Sequence, residues 1–230
     1  VRRERTFAGF PPDALRFLAQ LAIENDRAWF AANKDRYERS VAEPMRAFVA
    51  DATRELAAAG IPIGGDAKRS IFRIYRDVRF ARDKRPYRTH AACYLSYDGG
   101  RETQGGLYVH IAPGNAHLSV PFYLVPPPML RRWRTAMRDD PARFKRVVRL
   151  LAAKGLRIDP PEASDDALRR LPRGFADVAG TALEPFFKLR SFSVERPLTR
   201  AEVTSATLLD AAVRIARDAK PLLDYGWSLD

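Results

Sequence analysis

Sulfur and histidine are scarce in this chain. One cysteine, Cys93, and three histidines, His90, His110 and His117, are all that 230 residues contain. A single thiol closes no internal disulfide, which excludes a disulfide framework, and it completes no zinc site without histidines. Lysine is sparse too: 33 of the 40 basic residues are arginine. Apolar runs are short throughout, and the opening Val1-Arg2-Arg3-Glu4-Arg5 leads into no secretory core. No signal peptide, no transmembrane span and no membrane partner are expected, and a cytoplasmic location fits.

Several chemical motifs are also missing. There is no Gly-x-x-x-x-Gly-Lys-Ser/Thr phosphate loop, no dinucleotide fingerprint, no His-Glu-x-x-His and no Gly-x-Ser-x-Gly. The glycine-rich stretch from Gly99 to Gly106 has the wrong spacing to cradle a phosphate and reads as a hairpin connection. No cofactor and no metal is expected.

What the chain does have is positive charge. The formal net charge is +12 and the pI about 10.2. Such a balance invites an anionic ligand, nucleic acid included, although arginine-rich composition also follows from GC-rich coding. Half of the excess, a net +6, falls between Asp66 and Arg101. Its densest part, RIYRDVRFARDKRPYRTH at 73–90, threads basic residues with aromatics and only two acids.

Periodicity predicts an α+β fold in a single domain, 1–230: helical over 12–60, a small antiparallel sheet over 70–125, and mainly helical again over 128–222. Asp13 is expected to cap a first helix with Leu15, Leu18, Leu21 and Ala22 on one face. Asp26 opens a longer one that Pro44 interrupts or kinks, ending at Gly60. From Phe72 the period becomes two. Phe72, Ile74, Val78 and Phe80 would share one face of a strand, and Arg73, Tyr75, Asp77 and Arg79 the other.

A hairpin follows, with Leu107, Val109 and Ile111 facing Leu118, Val120 and Phe122 across a two-residue Gly114-Asn115 turn. It brings His110 and His117 near each other on the reverse face. Asp140-Pro141 reads as a cap followed by an N1 proline, Ser164 as another cap, the aromatic-rich residues 183–197 as room for one more strand, and Thr199-x-x-Glu202 as a capping box for a last helix ending near Pro221. Arg131, Arg132 and Arg134, and Arg169, Arg170 and Arg173, read as solvated faces.

Geometry gives the basic stretch a definite reading. Asp77 between Arg73 and Arg79 would hold guanidinium groups rigid by charge-assisted hydrogen bonds. Arg76, turned toward the apolar face, needs a carboxylate or carbonyl partner, or a bulge in the strand. Lys84, Tyr87 and Arg88 follow on a segment that Pro86 stiffens. Arg73, Arg76, Arg79, Lys84, Tyr87 and Arg88 are thus candidate ligand-binding residues, and Asp77, His110 and Tyr87 candidate catalytic ones.

The pattern Arg73-x-x-Arg76-Asp77-x-Arg79-Phe80-x-x-x-Lys84-x-Pro86-Tyr87 resembles the signature of a bacterial family of conserved hypothetical proteins, domain of unknown function 2461. Asn25-Asp26-Arg27-x-Trp29-Phe30, Tyr108-x-His110-x-x-Pro113-Gly114 and Leu171-Pro172-Arg173-Gly174-Phe175 extend the similarity along the chain. His117-Leu118-Ser119-Val120-Pro121 departs from it, since the family tends to carry a glycine run there. The resemblance implies a fold and a length but no activity. Three readings follow for 73–88: a site for a phosphorylated metabolite, nucleotide or nucleic acid; part of an enzyme acting on a phosphorylated substrate; or a structural element of an interaction protein.

Overall fold

The computed structural model describes residues 4–100, 103–160 and 166–229. Ser164, and Arg101 and Glu102 of the glycine-rich stretch, lie outside the described residues. The chain divides into two compact units: Val1–Thr103, Leu107–Leu118 and Pro197–Arg214 form the first, and Gln104–Gly106, Ser119–Arg196 and Ile215–Asp230 the second.

The first unit begins with helices α1 (Pro12–Ile23), α2 (Arg27–Ala32) and α3 (Lys34–Tyr37), a π-helical turn at Glu38–Ala42, then α4 (Glu43–Ala58) and the short α5 (Ala67–Ser70). α1 starts earlier than its expected cap. Pro11 is extended and Pro12 supplies the pre-set first helical residue, so Asp13 falls inside the first turn. There Asp13 accepts a fork from Arg36, at 2.7 and 2.8 Å, instead of capping. The buried face of α1 is correspondingly Ala14, Phe17, Leu18 and Leu21.

Asp26 does cap α2, accepting from the Trp29 N–H at 2.9 Å. Pro44 provides no N–H for the preceding turn, and the π-type widening just before it absorbs that loss without ending the helical run. α4 then stops as expected at Gly60, whose φ of +70° lets Ile61 N–H reach the Leu56 carbonyl at 2.9 Å. Phe17, Phe48, Val49, Ala52 and Leu56 are fully buried. Asp51 is buried among them and accepts from the N–H groups of Thr6 and Phe7 at 2.7 and 2.8 Å.

Strands β1 (Ala91–Ser96), β2 (Gly106–Ile111) and β3 (His117–Phe122) follow. Helices α6 (Pro127–Asp139), α7 (Pro141–Ala152) and α8 (Glu184–Lys188), with a 3-10 turn at Ala176–Val178, lead to β4 (Phe192–Pro197). The chain closes with α9 (Arg200–Val203), α10 (Thr207–Asp218) and α11 (Lys220–Trp227). The strands form one antiparallel sheet in the order β1-β2-β3-β4, so the class is α+β.

Leu107, Val109, Ile111, Leu118, Val120 and Phe122 are all buried, as alternation requires. The turn joining β2 to β3 differs from the expected one. It is a four-residue turn, Ala112 to Asn115, with Pro113 and Gly114 at its centre and Asn115 N–H donating to the Ala112 carbonyl. Pro113 presets φ, and Gly114, at φ +72°, supplies the left-handed residue that follows.

In the second unit Trp133 stacks on Phe192 at 4.1 Å between ring centroids, with Phe122 and Tyr225 meeting it edge-on. A Cβ on Gly226 would stand 2.1 Å from the Phe122 ring, so only glycine lets α11 approach this closely. Asp140 caps α7 through the Arg143 N–H. The Thr199–Glu202 capping box forms, but the helix it opens is one turn long, and α11 runs on beyond Pro221. Arg134 is buried rather than solvated, because the carbonyls of Phe187 and Leu189 accept from its guanidinium at 3.0 and 3.1 Å. Among the described residues, no helix is long and apolar enough to cross a membrane.

Candidate functional site

Residues 72–90 do not form the expected strand. Next to β1, Ile71 bridges Cys93 and the Phe72 N–H donates to the Ala92 carbonyl at 3.0 Å, while a second isolated bridge, Tyr75 with Tyr87, lies within the segment itself. Around the second bridge, Arg76 N–H donates to the Pro86 carbonyl at 2.8 Å and Arg88 N–H to the Ile74 carbonyl at 2.7 Å. The segment between them is an arm folded back on itself.

Local side-chain bonds explain why no ladder forms there. Asp77 Oδ1 accepts from the Arg79 N–H at 3.2 Å, and Asp83 Oδ1 from the Arg85 N–H at 3.0 Å. These two Asp-x-Arg turns give the backbone an alternative to strand pairing. Each carboxylate then grips the guanidinium of the same arginine, and Asp83 also holds Arg76 at 2.9 Å. Side-chain hydrogen bonding from Arg85 first, then its N–H and Arg76, holds the Asp83 carboxyl well below its ordinary range. Lys84 Nζ donates to the Val78 and Arg79 carbonyls at 3.1 and 3.3 Å. Arg76 thus has both of the partner types its position demanded, Asp83 and the Arg85 carbonyl.

The base of the arm is anchored in the core. Tyr87 is 4% exposed and stacks on Phe30 at 4.2 Å. The Asn25 side-chain amide brackets the backbone of the same residue, accepting from Tyr87 N–H at 3.0 Å and donating to its carbonyl at 3.1 Å.

Just beyond the arm all three histidines converge. The rings of His90 and His110 lie 4.3 Å apart, and those of His110 and His117 stack at 4.7 Å, nearly parallel at 8°. The Tyr108 hydroxyl and His110 Nδ1 share a hydrogen bond of 3.1 Å. Burial, then the neighbouring imidazoles of His90 and His117, pushes His110 down to about 4. Burial also lowers His90, and the Arg88 charge adds to that. Tyr108 is raised, chiefly by burial, so its hydroxyl keeps its proton at neutral pH. Arg88 is half-buried, its Nε has no hydrogen-bond partner, and among the described residues no carboxylate pairs with it.

The family described as conserved hypothetical protein, DUF2461, matches residues 13–225. The chain belongs to that family. No curated protein and no solved structure matches it.

In this DUF2461 chain the candidate residues separate into groups. Asp77 and Arg79 pair with each other on the exposed arm, where Arg73 is also exposed. Arg76 and Lys84 tie the arm to itself, and Tyr87 lies in the core. His110 is brought together with His90, His117 and Tyr108, and Arg88 lies close enough to act on His90 and Tyr108. Sequence reasoning missed His90 and Tyr108 as members of this cluster. Alternation on β2 placed Tyr108 beside His110, whereas His90 follows an irregular segment that no period describes. Among the described residues no group of His, Cys, Asp and Glu is arranged to hold a metal ion. His110 and His117 stack face to face, whereas convergent ligation needs nitrogens aimed at one point.

Proposed function

We propose that the protein binds a phosphate-bearing ligand where Arg88 meets His90, His110, His117 and Tyr108. The observation that carries this reading is the half-buried Arg88, whose Nε has no acceptor and whose charge acts on His90 and Tyr108, beside which the other two imidazoles gather. A buried donor without a partner is costly, and an oxyanion would satisfy it with a charge-assisted bond. The anion would also favour protonated imidazoles, so binding draws protons onto His90 and His110.

The test follows the imidazole resonances by NMR while inorganic phosphate is titrated in near pH 6. The expected result is a saturable shift of all three histidines together with proton uptake, both lost in Arg88→Ala. Equal shifts in Arg88→Ala, or none in the wild type, overturn the reading.

A second reading, an enzyme acting on a phosphorylated substrate, draws on the Tyr108–His110 hydrogen bond, which joins a proton donor to an imidazole held neutral. Hydrolysis of an aryl phosphate that disappears in His110→Gln supports it. A cytoplasmic setting is part of the proposal, supported by the free, buried thiol of Cys93.

A further inference from the structure

The arm carries a second feature that the histidine site does not use. Phe80, near its tip, is 97% exposed, and Tyr75 at its base is 56% exposed. Around them Arg73, Arg79, Arg82 and Arg85 all face solvent. Large apolar rings are seldom left this open on a soluble surface, and a ring within a cationic collar has a definite complement. The collar is held in shape, since Asp77 fixes Arg79, Asp83 fixes Arg85, and Lys84 closes the chain over two carbonyls. Little ordering is therefore left to be lost on binding.

We infer that this arm is a docking element for single-stranded nucleic acid, with Phe80 stacking on a base and Arg79, Arg82 and Arg85 meeting phosphates. Aromatic rings interleaved with cations are what a flexible polyanion with π faces requires. The placement of Arg79 decides against an anionic lipid surface. Its guanidinium lies over the Phe80 ring at 5.9 Å, so sinking the ring into hydrocarbon would drag a charge with it. Against a base the same arrangement leaves the guanidinium at the level of the phosphate backbone. The inference rests on residues other than those of the phosphate site.

The experiment compares wild type with Phe80→Ala, using fluorescent oligo(dT) and, separately, vesicles of phosphatidylglycerol and phosphatidylcholine. The substitution changes no charge and touches no core, so the melting temperature stays where it is. Affinity for oligo(dT) is expected to fall ~10-fold, within the range of one lost base stack. Replacing Arg82 and Arg85 by Ala should flatten the slope of log affinity against log salt by roughly 1–2. Unchanged oligo(dT) affinity in Phe80→Ala overturns the inference, as does vesicle binding that needs Phe80 when oligo(dT) binding does not. The phosphate response of the histidines should persist in Phe80→Ala, so failure of one proposal leaves the other standing.

Discussion

Arg79 and Arg88 sit nine positions apart in one basic stretch and meet opposite fates. In the arm every carboxylate lies two residues before an arginine and holds it in place, in exposed ion pairs that water screens. Beside His90 and Tyr108 stands Arg88, with no carboxylate paired to it among the described residues, next to half-buried rings. The dense charge first sets the shape of the arm and stays on its surface, whereas the Arg88 charge is held half-buried with no described residue of opposite sign bonded to it. Counting charges along a chain therefore locates a feature without saying whether its charge is available.

The sharpest way to break this contrast is at the base of the arm. Tyr87→Ala removes a core ring stacked on Phe30 and should cost roughly 3–5 kcal/mol, a fall in Tm of roughly 10 °C for a chain of this length. Thermal and denaturant unfolding measure it, and a loss too small to detect would mean that the arm is not built into the core.

A smaller effect concerns pH. Folded His110 titrates at about 4 against an ordinary 6.5. Between those values the unfolded chain binds the extra proton, so stability is intact above about pH 6.5 and falls as pH drops toward about 4. His90, lowered as well, acts in the same direction. Melting curves across this range should show the slope, and His110→Gln should flatten it. An unchanged slope in that variant would place the proton-binding difference on other groups.

The smallest effect is expected at the most conspicuous ion pair. Arg79→Ala should leave Tm unaltered, because its side chain is 77% exposed and bonds only with Asp77 beside it. A loss of stability matching that of Tyr87→Ala would reverse the comparison and make the arm's ion pairs the support of the unit.

Much of this architecture was legible in residue order. The caps at Asp26 and Asp140, the stop at Gly60, the buried faces of β2 and β3 and the extended stretch that became β4 all follow from short-range rules that tertiary packing left intact. The class α+β came from the change of period between them. Residues 72–80 misled because alternation is only half of a strand's requirement. Backbone groups must also find a partner, and the paired Asp-x-Arg turns satisfied them locally, leaving Phe80 in solvent rather than on an apolar face. That repeated spacing, at 77–79 and 83–85, was the available signal. The meeting of His110 and His117 was visible from the hairpin. His90 was not, because an irregular segment delivers it and only the folded chain shows where that segment ends.

Cys93 gives the sheet a use of another kind. It is fully buried in β1, bridged to Ile71, and burial pushes its thiol well above the ordinary range. It is also the only thiol in 230 residues. A thiol reagent can then react only during the moments when β1 comes apart, so the rate of modification counts those openings one by one. The molecule carries its own stopwatch, started by the opening of a single strand and needing no introduced label to be read.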